Sequence, residues 1–188
     1  TQIPELKGES SLREQLLTDI RDAHVEEKMQ GRLVNGVQSS GNLFKRSEES
    51  FRQLGELVKQ AIQQYKDNFA DENCIYVKDF PKDFEFASSW FVKMKQGGHL
   101  NSHMHEEGWV SGALYLSLPT DKKHEHEGSI EVSTHGDDYP KQHDNFPAKA
   151  IAPTVGDIVM FPSCLFHRTI PFTSDEERIC VAFDLKPR

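Results

Sequence analysis

Two histidines one residue apart, His103 and His105, stand in the run Asn101-Ser-His-Met-His-Glu-Glu-Gly. A third, His167, ends Gly156-Asp-Ile-Val-Met-Phe-Pro-Ser-Cys-Leu-Phe-His, and Arg178 follows in Glu-Glu-Arg-Ile-Cys-Val-Ala-Phe. Residues i and i+2 of a strand share a face, so an extended segment presents His103 and His105 side by side. A third imidazole from another strand completes a facial set of three ligands and leaves positions open for substrate or oxygen. Arg178 sits among Ile179, Val181 and Phe183. A guanidinium seldom faces a core without a partner. A ligand carboxylate gripped by two parallel hydrogen bonds is such a partner.

Each piece also has a bland reading. By itself an H-x-H pair is more often exposed and inert, and the chain has 9 His. His124 and His126 repeat the spacing in the charged run Lys-Lys-His-Glu-His-Glu and read as solvated. His24, His99, His135 and His143 have no ligand-like context, although His99 is near enough to the pair to support it from behind. Arg178 alone would be expected to pair with Asp175 or Glu176. The order of the H-x-H pair, the distant His and the Arg makes chemistry the better reading.

The elements that must position these residues fall into two textures. Near the N-terminus, Leu12, Leu16, Leu17 and Ile20 keep helical spacing, with Ser10 or Ser11 as a cap. Residues 31–43 are rich in Gly, Ser and Asn and read as loop or a short strand. Ser47 to about Phe69 is the best helix, with Phe51, Leu54, Leu57, Val58, Ala61, Ile62 and Tyr65 as one apolar stripe for core packing. After Asp71 the pattern is of short strands: Cys74-Ile-Tyr-Val, Phe84-Glu-Phe-Ala, Ser89-Trp-Phe-Val-Lys-Met up to a Gly97-Gly98 turn, Val110 to Leu118, Gly128 to Ser133, Lys149-Ala-Ile-Ala, Gly156 to Pro162, and Arg178 to Asp184. No helices alternate with them, which disfavours a parallel sheet. The plan is mainly β with N-terminal helices, an antiparallel sandwich or barrel. A single domain over 1–188 is expected, with 1–70 as helical support and 71–188 as the core. The charged segment from Thr120 to Pro147 reads as loops at one end of the barrel, where loops often border a substrate.

The chain has 188 residues, 36% hydrophobic and 28% charged, as in a folded globular domain. A formal net charge of -8 argues against a general polyanion-binding role, so no nucleic-acid partner is expected. Cys74, Cys164 and Cys180 are odd in number and widely spaced, which suggests no disulfide framework and a reducing, cytoplasmic setting. No apolar run is long enough to span a membrane and no signal peptide is visible.

These residues resemble the 2-oxoglutarate and iron(II)-dependent oxygenase superfamily, and within it the 2OG-Fe(II) oxygenase group related to prolyl hydroxylases. The matching pieces are His103-Met-His105, Val110-Ser-Gly-Ala-Leu-Tyr-Leu with Pro119, Gly156-Asp-Ile-Val-Met-Phe-Pro-Ser with His167, and Glu177-Arg178-Ile. Val37-Gln-Ser before the helix ending in Gln64-Tyr65 is also similar. The likeness covers roughly residues 31–186, and its order and spacing are more specific than any single piece. It implies a double-stranded β-helix (jelly-roll) core and Fe(II) held by His103, the residue at 105 and His167. It implies 2-oxoglutarate bound through Arg178, with Tyr115 and Asn101 as further contacts and ascorbate as an accessory reductant. The implied reaction couples decarboxylation of 2-oxoglutarate to hydroxylation of a small molecule, peptide or protein. Trp90, Trp109 and Ser111 are further candidates for the pocket wall, with core packing as the alternative for each.

One departure stands out. Most of the superfamily has a carboxylate where this chain has His105, so Glu106 or Glu107 remains an alternative ligand. Two other classes fit parts of the pattern. A cupin-type dioxygenase without 2-oxoglutarate would use the histidines but leave Arg178 unexplained. A non-enzymatic jelly-roll module would make the histidines incidental.

Overall fold

The computed structural model describes residues 1–23, 27–28 and 31–188. Among them, two antiparallel sheets face each other and helices cover the outside of the larger one. The elements are α1 (Ser11–Asp22), β1 (Glu27–Lys28), β2 (Leu33–Ser39), α2 (Glu49–Asn68), α3 (Ile75–Lys78), β3 (Phe84–Leu100), β4 (Val110–Ser117), β5 (Ile130–Ser133), β6 (Ala148–Ile151), β7 (Ile158–Pro162), β8 (Phe166–Thr169) and β9 (Arg178–Pro187). The large sheet runs β1-β2-β3-β9-β4-β7 and the small one β6-β5-β8. From β4 onward the chain crosses between the sheets, so β4, β7 and β9 lie in one and β5, β6 and β8 in the other.

The period-2 alternation of strands explains the layering. On β9 the odd residues Ile179, Val181, Phe183 and Leu185 join the helix-side core, as do Val110, Leu114 and Leu116 of β4 and Phe91 of β3. The intervening residues of the same strands face the small sheet. Leu16 and Ile20 of α1 and Phe51, Leu54, Val58 and Ile62 of α2 complete the core on the helix side. Burying side chains of this size contributes roughly 1.5–3 kcal/mol each, so packing rather than helix propensity holds α2 in place. Ser10 caps α1, its Oγ accepting from the backbone N–H of Arg13 at 3.1 Å.

Four details depart from the sequence pattern. Cys74-Ile-Tyr-Val does not form a strand: Ile75–Lys78 is one helical turn. That turn stacks Tyr76 on Trp109 at 5.3 Å between ring centroids and lets Tyr76 Oη donate to Trp109 O. This tertiary contact overrides the strand preference of Ile, Tyr and Val. Second, residues 84–100 form one continuous strand rather than two strands and a turn. Gly97 (φ +75) instead permits a bulge, where β2 advances from Val34 to Gly36 while β3 moves from His99 to Met94. Third, residues 33–39 form a full strand within the Gly-rich stretch. Fourth, β2 lies within the first 70 residues yet pairs with β3 inside the large sheet, so that part of the chain is not helical support alone. The loops between residues 120 and 147 flank β5 and are largely exposed.

Candidate metal centre

His103 and His167 form an isolated antiparallel bridge, each donating its backbone N–H to the other's carbonyl, at 3.0 and 2.8 Å. His105 is tied one step further on, its N–H donating to Ser163 O at 3.1 Å. Residues 103–105 are thus held by His167 of β8 and by Ser163 in the turn before it, rather than by a long strand of their own. The three imidazoles converge: ring centroids are 4.3 Å apart for His103 and His167, 4.9 Å for His105 and His167, and 5.2 Å for His103 and His105. One potential ligand atom from each lies within 4.8 Å of the others.

The hydrogen bonds on the far side of each ring test whether this cluster suits a metal. His103 Nδ1 is 2.7 Å from Asn101 O, His167 Nδ1 is 3.3 Å from Leu165 O, and His105 Nδ1 is 2.5 Å from Asp184 Oδ1. A carbonyl or carboxylate can only accept, so each Nδ1 must carry the proton. In the neutral rings Nε2 then has a free lone pair, the arrangement typical of metal-binding histidines. Burial favours the neutral form of two of the rings, His103 and His167. It lowers the His103 pKa, and it brings that of His167, with the other two imidazoles adding repulsion, down to about 3. The donor set fits a divalent transition metal. Glu106 and Glu107 are exposed and outside the cluster.

Behind His105 lies a polar network that the sequence reading missed. Asp184 Oδ1 accepts from His105 and from Ser111 Oγ at 2.7 Å, and its Oδ2 accepts from Ser88 Oγ at 3.1 Å. The hydroxyls of Ser111 and Ser163 are hydrogen-bonded at 2.8 Å. Burial alone would raise the Asp184 carboxyl, but the bonds from His105, Ser111 and Ser88 outweigh it and hold its pKa below the ordinary range. A signal was available: Asp184 shares Arg178's parity on a buried strand, and a carboxylate on such a face needs partners.

The histidines close one end of a cavity of about 70 Å³. On the same measure one water needs roughly 10–15 Å³, so the space admits a group of several heavy atoms. The wall of the large sheet is a ladder of paired residues on β4 and β9: Ser111 opposite Asp184, Ala113 opposite Ala182, and Tyr115 opposite Cys180. Trp90 completes the wall near His105, with ring centroids 5.7 Å apart. Gln38 also lines the cavity and was singled out only as part of the motif before the long helix.

Arg178 sits at the other end and is 2% exposed. Its Nε donates to Gly128 O at 3.1 Å and its guanidinium lies over the Tyr115 ring at 5.0 Å. Its other near contacts are sulfurs, Cys180 Sγ at 3.6 Å and Met94 Sδ at 3.9 Å. Among the described residues no carboxylate pairs with it; Glu176 is held by Thr120 and Ser174 instead. Tyr115 Oη, also buried, has no hydrogen-bond partner. A buried cation with no carboxylate and a buried hydroxyl with no acceptor, side by side on the cavity wall, fit a carboxylate ligand.

The other sequence candidates are placed as follows. Asn101 is exposed, outside the cavity wall, and contributes its carbonyl to His103. Trp109 packs with the helix-side core. His99 Nδ1 bonds Gly97 O. His124 and His126 are exposed, and His135 and His143 stack on Phe146. His24 lies outside the described residues.

The architecture belongs to a known class of enzymes. The chain superimposes over 100% of its length on 92% of a prolyl-4-hydroxylase from Pseudomonas putida, at a TM-score of 0.62 and 16% identity. HygX from Streptomyces hygroscopicus, solved with nickel and 2-oxoglutarate bound, matches 98% of this chain and 81% of its own at TM-score 0.64 and 12% identity. A viral collagen prolyl hydroxylase from Paramecium Bursaria Chlorella virus-1, solved as a 2OG complex, matches 100% and 96% at TM-score 0.61 and 12% identity. These likenesses define the fold as the jelly roll of 2-oxoglutarate oxygenases. No curated protein matches the chain. Residues 88–184 match the family described as "Putative 2OG-Fe(II) oxygenase", and the chain belongs to that family. It is a 2-oxoglutarate- and Fe(II)-dependent oxygenase.

Proposed function

We propose that His103, His105 and His167 hold the iron and that Arg178 and Tyr115 bind the distal carboxylate of 2-oxoglutarate, for hydroxylation of a substrate that is a small molecule or a polypeptide segment. The observation that carries this reading is the cavity itself. Three imidazole lone pairs meet at one end of it, and an unpaired buried cation waits at the other. The metal and 2-oxoglutarate, when bound, supply the oxidising chemistry by activating O2.

The chain's own residues bind and orient. Asn101 O, Leu165 O and Asp184 fix the three rings by accepting at Nδ1. Arg178, already steadied by Gly128 O and the Tyr115 ring, presents the rest of its guanidinium to the incoming carboxylate. Tyr115 Oη donates a hydrogen bond to it; burial raises this phenol's pKa, so the proton stays on the oxygen at neutral pH. Trp90, Phe161 and Ile130 keep water from the cavity. A wider trough on the far side of His167, lined by Ser102, Glu131, Ser133, His135, Lys141 and Phe166 among others, gives a polar approach for the substrate.

The chain works as one domain in this proposal, with the site carried by 71–188. A reducing cytoplasmic setting is supported by three free cysteines. The net charge of -8 disfavours nucleic acid as substrate. No helix among the described residues is long and apolar enough to cross a membrane.

The experiment is an anaerobic titration with Fe(II) and then 2-oxoglutarate, followed by a succinate assay in air without added substrate. A visible charge-transfer band in the wild type, and its loss in Arg178→Ala with iron retained, is the expected result. Iron bound with no response to 2-oxoglutarate would overturn the assignment of Arg178.

A further inference from the structure

We propose that Asp184 supplies, from behind His105, the negative charge that most relatives bring to the metal directly, and so acts as the positioning and charge-compensating residue of this centre. The inference rests on the assignment of the three histidines as iron ligands. Three neutral imidazoles leave a divalent ion with its full charge, where a carboxylate ligand would cancel part of it. The described residues around the cluster contain one buried carboxylate that touches a ligand, and it is Asp184. Its Oδ1 is 2.5 Å from His105 Nδ1, on the side of the ring opposite the cluster. A carboxylate accepting from Nδ1 makes Nε2 a stronger donor and fixes the ring plane.

The surroundings are built for that orientation. Ser111 Oγ donates to the same oxygen at 2.7 Å and Ser88 Oγ to the other at 3.1 Å. Ser163 holds the group from two directions, through its hydroxyl to Ser111 and its carbonyl to the N–H of His105. Gly108 leaves room for this cluster: a Cβ there would lie 2.3 Å from Ser163 Oγ and 3.5 Å from Asp184 Oδ1. The other two ligands lean on neutral carbonyls, of Asn101 and Leu165. The ring that stands where relatives have a carboxylate is therefore the one backed by a carboxylate.

The test is a double-mutant cycle on His105→Asp and Asp184→Asn. The readouts are the dissociation constant of Fe(II), measured anaerobically well below the melting temperature, and the position of the band formed with 2-oxoglutarate. Asparagine keeps the shape and can still accept from His105 and Ser111 through Oδ1, so Asp184→Asn removes the charge and otherwise only reverses the bond with Ser88, whose hydroxyl then accepts from Nδ2. It should weaken iron binding by roughly 10–100-fold and move the band to higher energy. In the His105→Asp background the same change should cost nothing or strengthen binding, because it relieves two carboxylates facing each other. Iron affinity and band unchanged in Asp184→Asn would overturn the inference and leave Asp184 as a clip between β9 and residue 105. If the wild type bound no iron, or bound it as well after His167→Ala, the histidine assignment would fail first and the inference with it. A melting temperature for each variant separates loss of folding from loss of metal.

Discussion

At the histidine end of the cavity, every ring nitrogen that faces the protein has an acceptor waiting for its proton. At the arginine end, a guanidinium that is 2% exposed has a carbonyl, an aromatic face and two sulfurs, but no anion among the described residues. The first end is a donor set whose rings are already aimed and tautomerically fixed by the chain. The second is left with an electrostatic deficit that only a ligand of opposite charge removes. Preorganisation therefore takes two forms within one cavity: aim at one end, stored desolvation at the other.

The largest expected effect breaks the first end. His103→Ala and His167→Ala should each weaken Fe(II) binding by more than about 100-fold, since changes behind a ligand alone typically cost 10–100-fold. Equilibrium dialysis under argon reads this, and tight stoichiometric iron in either variant would contradict the assignment.

Arg178→Met breaks the second end and separates it from the first. Truncating one partner of a buried charged pair costs about 2–5 kcal/mol of binding, or roughly 30- to 5,000-fold in 2-oxoglutarate affinity, with iron affinity nearly unchanged. The ligand-free variant should also melt higher than the wild type, because replacing a buried unpaired charge with a close-packed apolar group is stabilising. Calorimetry showing a lower melting temperature would mean that Arg178 is already satisfied.

Acid sharpens the contrast. In the unfolded chain both histidines take up protons near the usual pKa of about 6.5. In the fold, burial lowers His103, and His167 falls to about 3. The unfolded state then binds more protons below about 6.5, so stability of the metal-free protein is full above that pH and declines as pH falls toward about 3. Melting temperatures across this range should fall, and less steeply in His167→Gln. The smallest effect is at Tyr115. Tyr115→Phe should weaken 2-oxoglutarate binding by about 1.5–3 kcal/mol, roughly 10- to 150-fold, the range for a hydrogen bond to a charged group, and should hardly change the melting temperature, since the hydroxyl has no acceptor before the ligand arrives.

The histidines and Arg178 were legible because each breaks a local rule: a metal-binding residue type at strand spacing, and a charge in an apolar strand. The helical stripe on α2 and the alternation on β4 and β9 were legible for the opposite reason, that they obey one. Asp184 was not singled out, although it also breaks the alternation, because its meaning depends on His105 and Ser111 arriving from elsewhere in the chain. Residues 75–78 misled for a related reason: Ile-Tyr-Val favours a strand locally, and the stack of Tyr76 on Trp109 is invisible in sequence. The Gly97-Gly98 pair looks like a turn signal, yet the same freedom in φ serves a bulge when a partner strand lies on either side. Tyr115 was found by strand parity, but its orphaned hydroxyl is a property of the packed cavity alone.

Strand β9 carries Arg178 near its start and Asp184 six residues on, and it is hydrogen-bonded on both flanks, by β3 and β4. Six steps at about 3.3 Å place their backbones some 20 Å apart, and neither neighbour lets that span stretch. On the assignment proposed above, the strand is in effect a ruler cut to one length, with the carboxylate receptor at one mark and the support of the metal ligand at the other. A 2-oxo diacid one methylene shorter or longer than 2-oxoglutarate meets a gauge that cannot be reset. Discrimination among such acids then belongs to the sheet's register, and an inserted residue in β9 would erase it by turning one mark to the opposite face.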